Sequence, residues 1–362
     1  MKSIAIFLSL IFIAGYSKAQ LNTRFDFTNA DATIAFLKKA HPTEADIDRM
    51  VKSDGVKTII KKIRSTDSIA RIALYKAAAG IPAAGKEKNF QFDFIKAQLP
   101  EMENFIARIK NNTRIITDSI QSLAHFLPVD KKATVTVCFL LGGYSSGFTM
   151  DDDNIFYVGT HQYKSDLTGI VNTCQHELFH NIQSLLYDRS KVLKALQDSN
   201  ELPALYATYL LQNIFIEGSA EYVADIDKMD TASPYIKREI EHYSVNNYRM
   251  ADNFFVLENI IMSAYRDPEK MDADMAYRVL FDWNWNNIGY AVGKQMCKAM
   301  VKIYGPDVLK KYLLTDPVFF IRDYIQLAKT NSTAFPYNFT KDFEQMIDTV
   351  AARITALKIN NP

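Results

Sequence analysis

The pentapeptide HELFH at residues 176–180 limits how this chain can fold more strongly than any other segment. In a helix, His176 and His180 lie one turn apart and project from the same face, as two ligands of one metal ion must. Glu177 lies about 100° further round the helix, where its carboxylate can reach a water molecule on that metal and act as a general base. The pentapeptide therefore predicts a helix and a metal site together.

The surrounding residues, 166–187, are predicted to form the helix that this motif requires. Asp166 is a suitable N-cap, and the apolar residues that follow it recur at helical spacing. With His176 at zero and about 100° per residue, the apolar stripe falls between about 160° and 240°, whereas His180 falls near 40°. The two histidines therefore point away from the core, which argues against the alternative that they are ordinary hydrogen-bonded core residues.

A second helix, predicted at residues 205–227, carries Glu217 and Glu221 one turn apart on one face. Glu217 can supply a third metal ligand and leave the fourth position of a zinc ion for water, as in catalytic rather than structural zinc sites. Glu221 can accept the second N–H of a ligand histidine and fix its tautomer. A solvated helix face is the alternative explanation for such a pair of glutamates. The small residue Gly218 would let this helix approach another one closely.

The spacing of these groups resembles that of the gluzincins, metallopeptidases with HExxH on one helix and E-x-x-x-D or E-x-x-x-E on a later one. The segments HELFHNIQ and IEGSAEYVAD are similar to an uncharacterised family of zinc-dependent peptidases, a domain of unknown function. The resemblance implies that Zn2+ is held by His176, His180 and Glu217. It also implies Glu177 as the general base and Glu221 as the carboxylate behind a ligand histidine, with a peptide or protein as the substrate.

A tyrosine further along the chain is a candidate for stabilising an oxyanion. The segment NIGYAVGKQM, which begins at Asn287, resembles one in several gluzincin-like families in which Y-x-x-G opens a helix that lines the cleft. The resemblance implies that the Tyr290 hydroxyl donates a hydrogen bond to the oxyanion that forms when water attacks a carbonyl. Core packing is the alternative in a chain with 19 tyrosines. His242 and Tyr243 are weaker candidates for the same role.

Hydrophobic patterning outside the motifs predicts an α+β, mostly α-helical fold. Residues 20–130 read as an N-terminal run of helices, and residues 131–362 contain two strands followed by further helices. The strands are TVTVCFLL from Thr134 and NIFYVG from Asn154. The gluzincin resemblance implies a zincin-like metallopeptidase core in this second region, with a small antiparallel sheet whose edge strand, NIFYVG, borders the cleft. An extended substrate can pair with such an edge.

Residues 1–19 read as a signal peptide, because Lys2 precedes an apolar run too short to span a membrane and Ala19 precedes the predicted cut. Loss of this segment changes the formal charge from +1 to −1, since it removes two lysines and no acid. The three cysteines are too few for a disulfide framework and read as buried hydrophobic residues. We therefore expect an exported protein, periplasmic or secreted, with no membrane span and no affinity for nucleic acid.

Together the motifs predict an exported zinc metallopeptidase that hydrolyses peptide bonds through a zinc-bound water and Glu177. Two other classes of protein are alternatives. A zinc hydrolase of a non-peptide amide or ester would carry the same motifs and differ only in its pocket. A catalytically silent helical binding protein would bind no stoichiometric zinc, and its stability would not respond to chelators. The chain lacks the G-x-M-E-N segment of gluzincin aminopeptidases, which favours endopeptidase over exopeptidase action.

Overall fold

The computed structural model describes residues 20–128, 132–150, 154–229, 232–331, 335 and 337–357. The predicted signal peptide, residues 1–19, lies outside the described residues. Within the described ranges, no helix is both long enough and apolar enough to cross a membrane.

Helices make up most of the described chain, and the mostly helical α+β class is therefore confirmed. The strands in the described ranges are β1 Gln20–Asp26, β2 Lys132–Leu140, β3 Gly147–Thr149 and β4 Ile155–Gly159. The helices before β2 are α1 Thr28–Leu37, α2 Glu44–Val51, α3 Asp54–Lys62, α4 Asp67–Ala78, α5 Phe92–Ala97, α6 Leu99–Asn111 and α7 Thr113–Gln121. The helices after β4 are α8 Leu167–Leu186, α9 Arg189–Asp198, α10 Leu202–Val223, α11 Pro234–Tyr248, α12 Met250–Arg266, α13 Ala273–Phe281, α14 Ile288–Tyr304, α15 Val308–Leu313, α16 Val318–Thr330 and α17 Lys341–Ala356.

The described sheet is mixed, whereas the zincin resemblance implied a small antiparallel one. Its strand order is β1-β2-β4-β3, in which β1 and β4 both run parallel to β2, and β3 runs antiparallel to β4. The strand NIFYVG is β4, which lies inside the sheet between β2 and β3 rather than at its edge. The edge next to β4 is β3, a three-residue strand in a segment whose glycines and aspartates predict a loop, and the other edge of the described sheet is β1.

The strand β1 departs from the run of helices predicted over residues 20–130. Its residues QLNTRFD form a strand because they pair with β2, with Leu21 opposite Ala133. Leu21 is buried in a hydrophobic cluster that extends through the described chain to Ile354 in α17. The cysteines lie in the same cluster, buried and free, at positions Cys138, Cys174 and Cys297.

The helix α8 confirms the segment predicted at residues 166–187 and is fixed at its N-terminus by Asp166. One carboxylate oxygen of Asp166 accepts a hydrogen bond from the backbone N–H of Gly169 at 3.1 Å, as an N-cap does. The other oxygen accepts hydrogen bonds from the Ser233 hydroxyl and, at 2.8 Å, from the backbone N–H of Tyr235. Because Ser233 and Tyr235 lie at the start of α11, this one carboxylate sets where α11 meets α8.

The helices α10 and α14 meet through glycines, as the small side chain of Gly218 led us to expect. A Cβ atom on Gly218 would lie 2.2 Å from the backbone carbon of Gly293, and one on Gly293 would lie 2.1 Å from the carbonyl oxygen of Ile214. Both contacts are with backbone, which cannot rotate away as a side chain can. The glycine pair thereby brings the helix that carries Glu217 against the helix that carries Tyr290.

Replacing Gly218 by valine is expected to destabilise the fold by about 3 kcal/mol, because the new side chain would force two backbones apart. Urea-induced unfolding followed by circular dichroism measures the change. Ala251→Val, at an exposed position of α12, is the matched control, for which we expect a change below about 1 kcal/mol. A Gly218→Val variant as stable as the wild type would contradict the close packing of α10 on α14.

Candidate metal centre

Two helices bring the three predicted ligands together. His176 and His180 project from α8, and Glu217 projects from α10. Glu217 Oε2 lies 3.4 Å from His176 Nε2 and 3.3 Å from His180 Nε2, and the two Nε2 atoms lie 3.2 Å apart. The side chains are 13–15% exposed, so the triangle of ligand atoms is largely enclosed but still open to solvent on one side.

This triangle has the dimensions of a zinc site. Tetrahedral zinc, with bonds of about 2.0–2.2 Å to nitrogen and oxygen, places neighbouring ligand atoms about 3.3–3.5 Å apart. Glu217 Oε2 is buried and receives no hydrogen bond from either imidazole, although both are close. Three electron-rich atoms at such distances are stable when a cation or a proton lies among them. Two imidazole nitrogens and one carboxylate oxygen therefore fit a zinc ion.

Protons compete with a metal ion for the same atoms. Burial disfavours the charged form of His176, but the carboxylates of Glu217 and Glu221 outweigh it and raise the pKa of His176 well above its ordinary value. Burial also works against an ionised Glu217, yet the charges of the two histidines hold the pKa of Glu217 well below its usual range. Zinc binding at this triangle is therefore expected to release protons and to weaken as the pH falls.

A second carboxylate lies behind His176, where the sequence places Glu221. Glu221 Oε1 is 3.3 Å from His176 Nδ1, so it can accept the N–H of that nitrogen and leave Nε2 available to a metal. Burial opposes the ionised form of Glu221, but the imidazole of His176 and the ammonium of Lys294 hold its pKa below the ordinary value. The Tyr243 hydroxyl also donates a hydrogen bond to this carboxylate. Lys294 is itself paired with Asp225 at 2.8 Å.

His180 has an equivalent partner, which sequence reasoning missed. Its Nδ1 lies 2.7 Å from Oε1 of Gln183. The Gln183 amide nitrogen donates hydrogen bonds to the Ile216 carbonyl oxygen at 2.9 Å and to Ser219 Oγ at 2.8 Å, which assigns the amide oxygen to His180. His180 therefore carries its proton on Nδ1 and turns the Nε2 lone pair toward the other ligands. A signal was present, because Gln183 falls within about 20° of His176 on the helical projection.

Removing the outer partner of either histidine is expected to weaken zinc binding without abolishing it. Glu221→Ala and Gln183→Ala should each lower the zinc affinity by about 10- to 100-fold, because the imidazole loses the group that fixes its tautomer. Competition with a chromophoric chelator measures the affinity, and Glu269→Ala, at an exposed position, is the control. Affinities equal to that of the wild type in the first two variants would exclude this role for both side chains.

Glu177 faces the same cluster from the next position on α8. Its negative charge acts on both histidines and on the Tyr290 hydroxyl, and also on the buried Cys174 thiol, so the carboxylate is near the ligands. Lys62 of α3 approaches it from the N-terminal region, with its ammonium 4.8 Å from the centroid of the Phe148 ring in β3. Desolvation lowers the pKa of Lys62, and Glu177 acts in the opposite direction. Sequence reasoning missed Lys62, because a single lysine on an amphipathic helix is no motif.

The ring of Tyr290 lies against the first histidine. Its centroid is 6.2 Å from that of His176 and 5.8 Å from that of Phe281. Burial raises the pKa of Tyr290 well above its ordinary value, and nearby carboxylates add to the effect, so the hydroxyl stays protonated and can donate a hydrogen bond at neutral pH. His242, one of the weaker candidates, stacks instead on Trp283 with centroids 3.7 Å apart.

A cavity of about 730 Å³ opens beside the triangle, which is within the range of about 300–1,000 Å³ typical of ligand pockets. His180 and Glu217 form part of its wall, and Thr149, the last residue of β3, forms another part. Asn154, just before β4, also reaches the cavity. The edge strand that borders this cleft is therefore β3, and the expectation that NIFYVG would be that edge is wrong, because β3 covers it.

Comparison with known proteins identifies the family but no individual relative. A model of the family DUF5700, described as "putative zinc dependent peptidase", matches residues 47–333, which is more than half of the chain. No curated protein and no solved structure matches the chain. The resemblance of HELFHNIQ and IEGSAEYVAD to an uncharacterised family of zinc-dependent peptidases is thereby confirmed. The chain belongs to the DUF5700 family.

Proposed function

We propose that this protein is an exported zinc-dependent peptidase that hydrolyses peptide bonds. The observation that carries the proposal is the triangle of His176, His180 and Glu217, whose ligand atoms lie 3.2–3.4 Å apart beside Glu177. In this proposal the three residues of the triangle hold zinc and Glu177 is the general base. The description of the family as zinc-dependent peptidases supports the same chemistry.

The proposed reaction divides the work between the metal and the side chains around it. Zinc, when bound, supplies a Lewis acid that polarises a carbonyl and lowers the pKa of a coordinated water toward about 7. Glu177 accepts a proton from the attacking water and passes it to the leaving nitrogen of the peptide. The Tyr290 hydroxyl donates a hydrogen bond to the oxygen of the attacked carbonyl as negative charge develops there.

Two further side chains keep the histidines in the orientation that this reaction needs. Glu221 holds His176 at 3.3 Å and Gln183 holds His180 at 2.7 Å, each through the Nδ1 atom. Both Nε2 atoms are therefore directed at one point before any metal arrives. Such preorganisation raises metal affinity, because little imidazole freedom is lost on binding.

An extended peptide is the substrate that the shape of the cleft favours. The edge strand β3 ends in the cavity at Thr149, and within the described sheet its outer side has no neighbouring strand. A strand edge without a neighbour can pair with an extended chain through backbone hydrogen bonds. In the proposal, such pairing lays the peptide across the triangle with its scissile carbonyl near Glu177.

We also propose that the protein is exported and that it consists of two regions. Residues 1–19 act as a signal peptide and send the protein to the periplasm or the medium. Residues 20–130 form a mainly helical region that packs on a zincin-like core at residues 131–362 and adds the strand β1 to its sheet. Through Lys62 this helical region reaches the proposed base of the core.

Digestion of a diverse peptide library by the zinc-loaded protein tests the proposal. The Glu177→Gln variant is the blank, because it keeps the three ligands and lacks the base. Mass spectrometry of the products is expected to show internal cuts that only the wild type makes, which would identify an endopeptidase. Trimming from one end would instead identify an exopeptidase. A library left uncut by the zinc-loaded wild type would refute peptidase activity, whereas the same cuts by both proteins would exclude Glu177 as the base.

A further inference from the structure

One end of the cavity beside the triangle is lined by an arginine that forms no ion pair with a carboxylate of the described residues. Arg189, the first residue of α9, lines this cavity together with His180 and Glu217. Asp188, the acid before it, lines the same cavity, but its carboxylate caps α9 by accepting a hydrogen bond from the backbone N–H of Ser190 at 3.1 Å. The same carboxylate also lies 3.8 Å from the ammonium of the next lysine along the helix. The guanidinium of Arg189 therefore reaches the cavity with its charge unbalanced by direct contact.

Other cations near the triangle are already opposed by carboxylates. Lys294 pairs with Asp225 at 2.8 Å. Lys62 faces Glu177: desolvation lowers the pKa of Lys62, and the charge of Glu177 offsets only part of that effect. Compared with these two lysines, Arg189 is the cation that a negatively charged ligand in the cavity could contact without displacing a protein carboxylate.

Two phenols share this end of the site with Arg189. The rings of Tyr209 and Tyr277 lie 5.8 Å apart, and both hydroxyls feel the positive charge of Arg189 and the negative charge of Glu217. Burial raises the pKa values of both phenols, so they remain hydrogen-bond donors at neutral pH. Asp274 also acts on Tyr209 and is the other acid on this side. The charges of Arg189 and Glu217 therefore act on the same pair of neutral phenols.

We propose that Arg189 binds a carboxylate of the substrate, so that the enzyme favours peptides with a negative charge on one side of the scissile bond. This inference rests on the proposed peptidase function. Arg189 is exposed at the rim of the cavity, and its planar guanidinium can donate two parallel hydrogen bonds to a carboxylate and so hold it in a defined orientation. An aspartate or glutamate side chain and a free C-terminus offer the same carboxylate chemistry.

Matched peptide pairs test this inference. One series carries glutamate or glutamine at each position in turn around a single scissile bond, and a second series ends in a free acid or an amide. The wild type is expected to cleave the charged member about 3- to 10-fold more efficiently, in kcat/KM, at one position or at the free C-terminus, because water screens an exposed guanidinium. The series that responds identifies the source of the carboxylate. In Arg189→Gln the ratio should fall to about one, and in Arg189→Glu a lysine peptide should become the preferred one.

Two further measurements keep the inference separate from the proposed function. Lys191→Gln removes a neighbouring cation outside the cavity wall and should keep the wild-type ratio. Calorimetry of the same peptide pairs with the Glu177→Gln variant, with and without Arg189→Gln, measures the preference without hydrolysis. A preference in binding that depends on Arg189 would uphold the inference even if no peptide were cleaved, and the proposed function alone would fail. Equal treatment of charged and neutral peptides in both assays, or a preference that survives Arg189→Gln, overturns the inference.

Discussion

Replacing Glu177 by glutamine is expected to remove nearly all hydrolysis while the zinc content of the protein stays the same. Glutamine preserves the size of the side chain but cannot accept a proton from the attacking water, so kcat should fall by about 10²- to 10⁴-fold. Zinc should be retained because the ligand triangle does not include Glu177. Peptide hydrolysis at saturating zinc measures the first effect, and elemental analysis of the purified variant measures the second.

Two outcomes would contradict this assignment in different ways. Undiminished kcat in Glu177→Gln would exclude Glu177 as the base. Loss of zinc from the same variant would show that Glu177 supports the metal rather than the proton transfer. Glu269→Gln makes the same chemical change at an exposed position, and we expect its kcat to stay within about twofold of the wild-type value.

Replacing Glu217 by alanine is expected to strip the protein of zinc. The variant leaves two imidazoles, with Nε2 atoms 3.2 Å apart, and no negative ligand to offset the charge of the ion. The affinity should therefore fall by more than the roughly 100-fold expected at most for loss of an outer partner. Zinc content after dialysis against a chelator, at a concentration that leaves the wild type loaded, measures the effect.

Glu221→Ala is the matched control for Glu217→Ala, because it makes the same change one turn further along α10 and should keep most of its zinc. Thermal unfolding adds a second readout. A ligand at 100 times its Kd stabilises a folded protein by about 2.7 kcal/mol, so zinc should raise the melting temperature of the wild type and not that of Glu217→Ala. One zinc ion per chain in Glu217→Ala would exclude Glu217 as a ligand.

The helices α8 and α10 were predictable because each carries its own signals. Asp166 caps the first, and the second has no proline after Pro203; it runs from Leu202 to Val223 rather than over the predicted residues 205–227, because proline is tolerated in the first turn. The strands β1 and β3 were not predictable. The residues of β1 are mostly polar and become a strand only through pairing with β2, far later in the chain, while β3 is three residues long. The parallel pairing of the sheet also depends on how distant segments meet, which a local pattern does not encode.

The candidate ligands were predictable for a different reason, since a metal requires short and fixed spacings along a helix. His176 and His180 follow that rule. The structure adds that α10 packs against α8 and brings Glu217 next to them. Gln183 lies on the ligand face of α8, which the helical projection shows, but the orientation of its amide depends on contacts with α10. Lys62 and Arg189 come from elements without any motif, and only tertiary packing brings them to the cleft.

The glycine contact between α10 and α14 has a mechanical consequence for turnover. Gly218 directly follows Glu217, and Gly293 lies one turn after Tyr290, so the contact joins the parts of the two helices that face the site. With backbones touching and no side chain between them, neither helix can slide or roll past the other without a clash. The proposed metal ligand and the proposed oxyanion donor therefore travel as a single rigid body. Any motion that opens the cleft for a substrate or a product must therefore come from the elements on the other side of the cleft.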